Sequence, residues 1–252
     1  MFDEAKFQEA LAQPRLQGHV PEYLHSNRAV PIRVIQEPEL QAMTKQWFVD
    51  FDRKLDHYSE HFNTDLSWVM TWAKKYWWSF LVRDMDINNE LYAPDITYTD
   101  VTTFGRTIVG IDDFVTYNFA FFEAIPDWRY DPLPDQVYID VTPEGKVRTM
   151  IRYIGSGHWS GGLRLHPYDE TAPVIYGDGR FIQAPAVDRY HFNADGLMEE
   201  GETLYDILDG LQRGGVLPRD DSWALRTLFS ASKIPATLSR VRQRIPILRN
   251  QT

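Results

Sequence analysis

Apolar positions along the chain change their period near residue 93. Between Glu37 and Phe62, residues Leu40, Met43, Trp47, Phe48, Phe51, Leu55 and Tyr58 fall at three- and four-residue steps, which predicts one long amphipathic helix. A second helix is predicted to start from a cap at Thr64 or Asp65. It carries Trp68, Val69, Trp72, Tyr76, Trp77, Phe80 and Leu81, and ends near Asp84 to Asp86. Shorter helices are predicted over 2–12 and 88–92, the second stopped by Pro94. Beyond that point two-residue alternation takes over. Strands are predicted at 95–101, 107–109, 136–141, 146–159, 173–176, 180–192 and 197–206, with one helix, Ile111 to Ala124, among the early ones. Thr142-Pro-Glu-Gly145 and Asn193-Ala-Asp-Gly196 read as hairpin turns, so the long strands form an antiparallel meander. Helices followed by a meander predict an α+β fold: a curved, mostly antiparallel sheet packed against helices. Residues 222–232 and 236–244 read as C-terminal helices interrupted around Pro235.

Composition narrows the function classes. A net charge of −10 disfavours a nucleic-acid backbone as partner. The tail, 219–252, is the exception, with seven basic and two acidic residues. The chain has no cysteine, which removes thiolate nucleophiles, disulfides and Cys-ligated zinc. The first residues lack the basic start and apolar core of a signal peptide, and no apolar run reaches membrane-spanning length. A cytoplasmic location is the expectation. His57 and His61 have helical i, i+4 spacing, but the intervening residues do not form His-Glu-x-x-His, so no metal site is predicted.

Six short motifs occur in order. They are L-Y-A-P-D-I-T-Y-T-D at 91–100, G-I-D-D-F at 110–114, I-P-D-W-R at 125–129, I-G-S-G-H-W-S-G-G at 154–162, G-D-G-R-F at 177–181 and D-G-L-M-E-E-G-E-T-L-Y-D at 195–206. Together they resemble the SnoaL-like polyketide cyclase family of the nuclear-transport-factor-2-like superfamily, over residues 64–218. The resemblance divides the chain into a helical N-terminal extension (1–63), a SnoaL-like α+β domain (64–218) and a basic helical tail (219–252). It implies a cone-shaped barrel with one deep apolar pocket, a homodimer, and cofactor-independent general acid/base chemistry on a hydrophobic oxygenated small molecule. Cyclase, isomerase and dehydratase reactions belong to that class. A noncatalytic ligand-binding or dimerisation scaffold, and an epoxide hydrolase-like site, are the alternatives.

The resemblance implies an acid/base aspartate at Asp206, where Gly196, Glu200 and Asp206 match the family pattern and Glu202 stands in place of a tryptophan. The competing reading of Asp206 is a cap on the following helix. Asp100 and Tyr98 share a strand face; the resemblance, through the dehydratases of the superfamily, implies that they polarise a carbonyl and position water, unless Asp100 makes an Asx turn. Tyr190 and His191 are strand neighbours, so one points inward. The same holds for His158 and Trp159 and for Arg152 and Tyr153. His191 and His158 are candidate proton shuttles. Tyr98, Tyr153, Trp159, Tyr190, Arg152 and Trp77 are candidate substrate contacts, with an inward Arg152 favouring an anion or, with two aspartates, epoxide opening. The glycines of 154–162 point to a bend, a bulge or close approach by a ligand or another backbone, and the resemblance implies that they let a strand end, bend or bulge at the pocket rim.

Overall fold

The computed structural model describes residues 2–24, 31–166, 168–231, 233–235 and 237. In chain order its helices and strands are α1 (Glu4–Ala12), β1 (Tyr23–Leu24), β2 (Ile32–Arg33), α2 (Glu37–Phe62), α3 (Ser67–Val82), β3 (Tyr92–Asp100), β4 (Ile108–Val109), α4 (Ile111–Ala124), β5 (Arg129–Val141), β6 (Val147–Trp159), β7 (Gly162–Arg164), β8 (Val174–Tyr176), β9 (Arg180–Phe192), β10 (Met198–Tyr205), α5 (Ile207–Arg213) and α6 (Trp223–Ala231). Short 3-10 turns cover Met85–Glu90 and Val101–Thr103. The predicted helix at 236–244 falls outside the described residues except at 237. No described helix is long and apolar enough to cross a membrane.

Six strands form one sheet in the order β4-β3-β10-β9-β6-β5. The fold is mixed α+β, with the large curved sheet set against helices. Its edges, β4 and β5, do not pair with each other, so the sheet is open and not the closed barrel expected. Every pairing is antiparallel except that of β10 with β3.

Several local choices explain the boundaries. β5 begins at Arg129, seven residues before its predicted start, although it contains Pro132 and Pro134. Proline cannot donate to a ladder, but β5 is an edge strand, where the loss is tolerated. A register shift between Pro132 and Val137 absorbs the irregularity, and Asp135 there has a positive φ of 60°. Helix α3 starts at Ser67, and Asp65 accepts the Ser67 amide at 2.9 Å. The N-A-D-G turn closes through Asn193 Oδ1, which accepts the Asp195 and Leu197 amides, each at 3.0 Å.

The core is aromatic. Trp47 of α2 stacks on Trp77 of α3 with ring centroids 5.1 Å apart, and Trp77 donates to the Tyr130 carbonyl at 3.2 Å. Trp77 therefore packs helix against sheet and does not line the main cavity. Burial of such large rings supplies most of the drive to dock α2 and α3. A buried ion pair fixes the seating of α2. Arg129 donates to both Asp131 oxygens, at 3.0 and 2.8 Å, and to Glu37 at 2.5 Å, while Thr44 donates to Asp131 at 2.8 Å.

Candidate active site

The inner face of the sheet can be read row by row across the strands. One row is Asp100 (β3), Thr203 (β10), Asp188 (β9), Ile151 (β6) and Val137 (β5). The next inward-facing row is Tyr205, Ala186, Tyr153 and Pro132, and after it come Ala184, Gly155 and Tyr130. Small residues thus sit between tyrosines. Side chains of one face repeat every second residue, so this alternation leaves a hollow over β9 with hydroxyls around it. The hollow is a cavity of about 120 Å³, lined by the residues of these rows other than Ile151, Val137 and Pro132, and by Phe80, Phe121, Trp128, Trp159, Leu163 and Leu211, among others.

Two carboxylates face this apolar space. Asp188 is 2 % exposed. Its Oδ1 accepts from Thr203 Oγ1 at 2.7 Å, and its Oδ2 accepts from the hydroxyls of Tyr190 at 2.5 Å and Tyr130 at 3.0 Å. The Tyr98 hydroxyl bonds Thr203 Oγ1, and the Tyr76 and Tyr190 hydroxyls lie 3.0 Å apart. With the Tyr190 proton directed at Asp188, Tyr76 is the donor to Tyr190. Five hydroxyls therefore converge, directly or through one relay, on a single carboxylate. Burial raises the Asp188 pKa to about 6, against the pull of the Tyr190, Thr203 and Tyr130 hydrogen bonds, which favour the charged form. Burial and the Asp188 charge push Tyr76, Tyr98, Tyr130, Tyr153 and Tyr190 well above the ordinary phenol range, so all remain donors. Tyr153 lines the cavity, and no hydrogen bond to its hydroxyl is found among the described residues.

Asp100 closes β3. It accepts from the Thr102 amide at 2.7 Å and the Thr102 hydroxyl at 2.6 Å, with the Tyr205 hydroxyl 3.4 Å away. This is the Asx turn weighed from the sequence, yet the carboxylate also lines the cavity beside Tyr98. Burial raises its pKa, opposed by the Thr102 bonds.

The other expected site residues divide between the two faces. Tyr98, Tyr153 and Trp159 line the cavity, and Tyr190 lies just beneath it, bonded to Asp188. Their strand neighbours point away. Arg152 is exposed on the outer face and donates to Gln136 at 3.2 Å, so it joins neither aspartate and no Asp–Arg–Asp arrangement forms. His191 pairs with Glu200 at 3.4 Å on the outer face. His158 turns from the cavity to Asp127, with Nδ1 2.6 Å from Oδ2 and its amide donating to Oδ1 at 2.7 Å; its ring packs against Gly18 of the N-terminal segment. Asp206 is exposed outside the cavity and caps α5, accepting the Asp209 amide at 3.0 Å, the second of the two readings left open for it. The inner face of β10 ends one residue earlier, at Tyr205, which leaves Asp206 on the loop.

Of the reasons open for the glycines of 154–162, close approach by another segment accounts for Gly155 and Gly157, not a bend or bulge at the rim. β6 runs against β9 without a register break through Trp159. A Cβ on Gly155 would lie 2.2 Å from the Trp128 ring, and one on Gly157 would lie 2.5 Å from Ile125. They are glycines because the segment 125–128 lies directly on the strand and brings Trp128 into the cavity wall.

Asp188, Thr203, Tyr130 and Arg213 are cavity residues that sequence reasoning missed. For Asp188 a signal existed. Tyr190 and Phe192 are large and apolar at two-residue spacing, and counting back by two from them reaches Asp188 and Ala186.

Among the described residues, no group of three or more His, Asp or Glu side chains is placed to hold a metal ion. His57 and His61 only stack, 6.4 Å between centroids.

The chain is similar in structure to SnoaL-like polyketide cyclases and NTF2-like proteins. One such structure is a Jannaschia sp. CCS1 protein provisionally described as a SnoaL-like polyketide cyclase; it is 21 % identical, with 53 % of this chain and 79 % of that one covered and a TM-score of 0.37. A second, provisionally described as a polyketide cyclase, comes from Bacillus cereus ATCC 10987, with 14 % identity, coverage of 61 % and 84 %, and a TM-score of 0.43. A third is an NTF2-like protein of unknown function from Exiguobacterium sp. 255-15, with 19 % identity, coverage of 46 % and 78 %, and a TM-score of 0.32. No family model and no curated protein matches the chain.

Proposed function

We propose that this protein is a cofactor-independent enzyme that moves protons on a hydrophobic, oxygenated small molecule, with Asp188 as the acid/base group. The observation that carries the reading is the state of Asp188. It is a carboxylate on the floor of an apolar cavity, with a pKa near 6 and hydroxyl donors on both oxygens. A base works best when its pKa lies near the working pH, and burial supplies that tuning here.

The residues suggest a sequence of events. A ligand enters with a carbonyl or phenol oxygen toward Tyr153, whose hydroxyl is free to donate. Asp188 takes a proton from the carbon next to that carbonyl. Negative charge develops on the ligand oxygen, and the tyrosine hydroxyl stabilises it in a space with little water. Asp188, now neutral, returns the proton at the same or another carbon. Asp100 and Tyr205 provide a second polar point on the same floor, for a further oxygen of the ligand.

The test is proton exchange at a substrate-like carbon, which needs no knowledge of the product. 6-Hydroxy-1-tetralone, 1-tetralone and 1-decalone are incubated with the protein in D₂O, and loss of the α-proton signals is followed by NMR. Exchange that depends on protein and falls about 100-fold or more in Asp188→Asn supports the reading, since positioned general bases contribute on the order of 10²–10⁴. Equal rates for the two proteins on every ketone, with Tyr190 and Tyr130 still buried in the variant, would sink it.

A further inference from the structure

We infer that the cavity takes a ligand bearing a carboxylate, and that Arg213 is the residue that recognises it. This rests on the same cavity being the ligand site. It does not depend on the acid/base role of Asp188.

Among the described residues that line the cavity, Arg213 alone is cationic. It is the last residue of α5, and its side chain is 7 % exposed. Two bonds aim it. Nε donates to Asp209 one turn back at 2.6 Å, and Nη1 donates to the Gln183 carbonyl on β9 at 3.0 Å. A guanidinium has five N–H groups, so three remain, and it keeps its charge under burial. The cavity residues that flank Gln183 on β9 and those of α5, Ile182, Ala184, Ile207 and Leu211, carry no acceptor side chain. Those N–H groups belong to a residue of the cavity lining, so a ligand held there can accept from them. A carboxylate fits a guanidinium edge in two parallel hydrogen bonds.

The charge count selects a monoanion. Asp209 already balances part of the Arg213 charge, and Asp100 and Asp188 lie on the same floor. A dianionic phosphate would find no second cation and two acids. The strand gives a ruler. Ala184 and Asp188 both face the cavity on β9, four residues and about 13 Å apart. An elongated, one- or two-ring ligand with its carboxylate at Arg213 presents its far end to Asp188. Arg152, the arginine that the sequence suggested for an anion, lies on the opposite face.

The probes are 6-hydroxy-2-naphthoate and its methyl ester, which share a skeleton and differ in charge. Their binding to the full-length protein is measured by calorimetry at pH 7, with wild type, Arg213→Met and Arg213→Lys. Wild type is expected to prefer the acid by about 10-fold or more, the range of a charge-assisted pair. Arg213→Met loses the preference while ester affinity stays within about twofold, and Arg213→Lys restores part of it. The wild-type comparison stands without either variant, so misfolding of Arg213→Met leaves the inference exposed to refutation. Wild type binding the ester as tightly as the acid, or binding neither, overturns it. Loss of proton exchange with an intact acid preference would fault the role of Asp188 and leave this assignment standing.

Discussion

Thr203 Oγ1 donates to Asp188 Oδ1 at 2.7 Å, from directly across the β9–β10 ladder. The same hydroxyl is bonded to Tyr98, so Thr203 passes a phenol's polarity to the carboxylate. Valine keeps the shape and removes the hydroxyl. In Thr203→Val the charged form of Asp188 loses one of its three direct donors and its pKa rises further. The lower limb of the pH–rate profile for α-proton exchange should move up by about one pH unit, the size expected for one hydrogen bond to a charged group. A limb that stays in place would show that Asp188 does not set it.

Asp188 also makes stability depend on pH. Its pKa rises from 3.8 to about 6 on folding, so between those values the folded state holds a proton that the unfolded state has released. Folding is then favoured by acid. The contribution is neutral below pH ~4 and grows to a cost of about 3 kcal/mol above pH ~7, from 1.36 kcal/mol per pH unit of displacement. Asp188→Asn removes the cost. Urea unfolding at pH 4 and pH 8 should show the variant gaining about 3 kcal/mol on wild type between the two. A difference that does not change with pH would contradict the buried carboxylate.

The Arg129–Asp131 pair predicts the opposite kind of effect. Both side chains are nearly inaccessible, at 6 % and 3 % exposure. Asp131→Ala leaves a buried guanidinium with Glu37 alone and removes the acceptor for Thr44. A loss of about 3–5 kcal/mol is expected in denaturant unfolding, as for other broken buried pairs. Proteolysis should then begin near α2, because this network joins α2 to β5.

Gly155→Ala tests the wall of the cavity. The new methyl would meet Trp128 at 2.2 Å, and the neighbour is a ring wedged against Phe121. Trp128 has to swing outward. The expected outcome is a loss of about 1–3 kcal/mol from overpacking and altered affinity for naphthoate-sized ligands. Trp128→Phe in the same background should recover stability; if it does not, the glycine serves the strand and not the tryptophan.

Much of the fold is legible in the sequence because its long elements keep one period throughout. Helix α4 spans the predicted residues, and β6 and β9 match to within a residue. The predicted strand at 136–141 misses the part of β5 that holds Pro132 and Pro134, residues that are tolerated only because β5 is an edge, a fact of topology. The short pieces β1, β2 and β7 carry too few residues to show a period. At the site, motif position favoured Asp206, whereas side-chain alternation places Asp188 inside. The bulge between Met198 and Glu200 on β10 shifts which residues face inward, and nothing in the local sequence marks it. That shift turns Thr203 and Tyr205 toward the cavity and sends Glu202 out to Arg189.

The one parallel pairing in the sheet, β3 with β10, has a consequence for how the protein is made. Asp100 and Thr203 are neighbours in space with a hundred residues of chain between them. A ribosome releases β3 long before β10 exists, so during synthesis Asp100 has no Thr203 to pair with. The floor of the cavity needs the last strand, which lies between β3 and β9. Any fragment that stops before Met198 therefore lacks a central strand of the sheet, and with it Thr203, which lies between the two carboxylates.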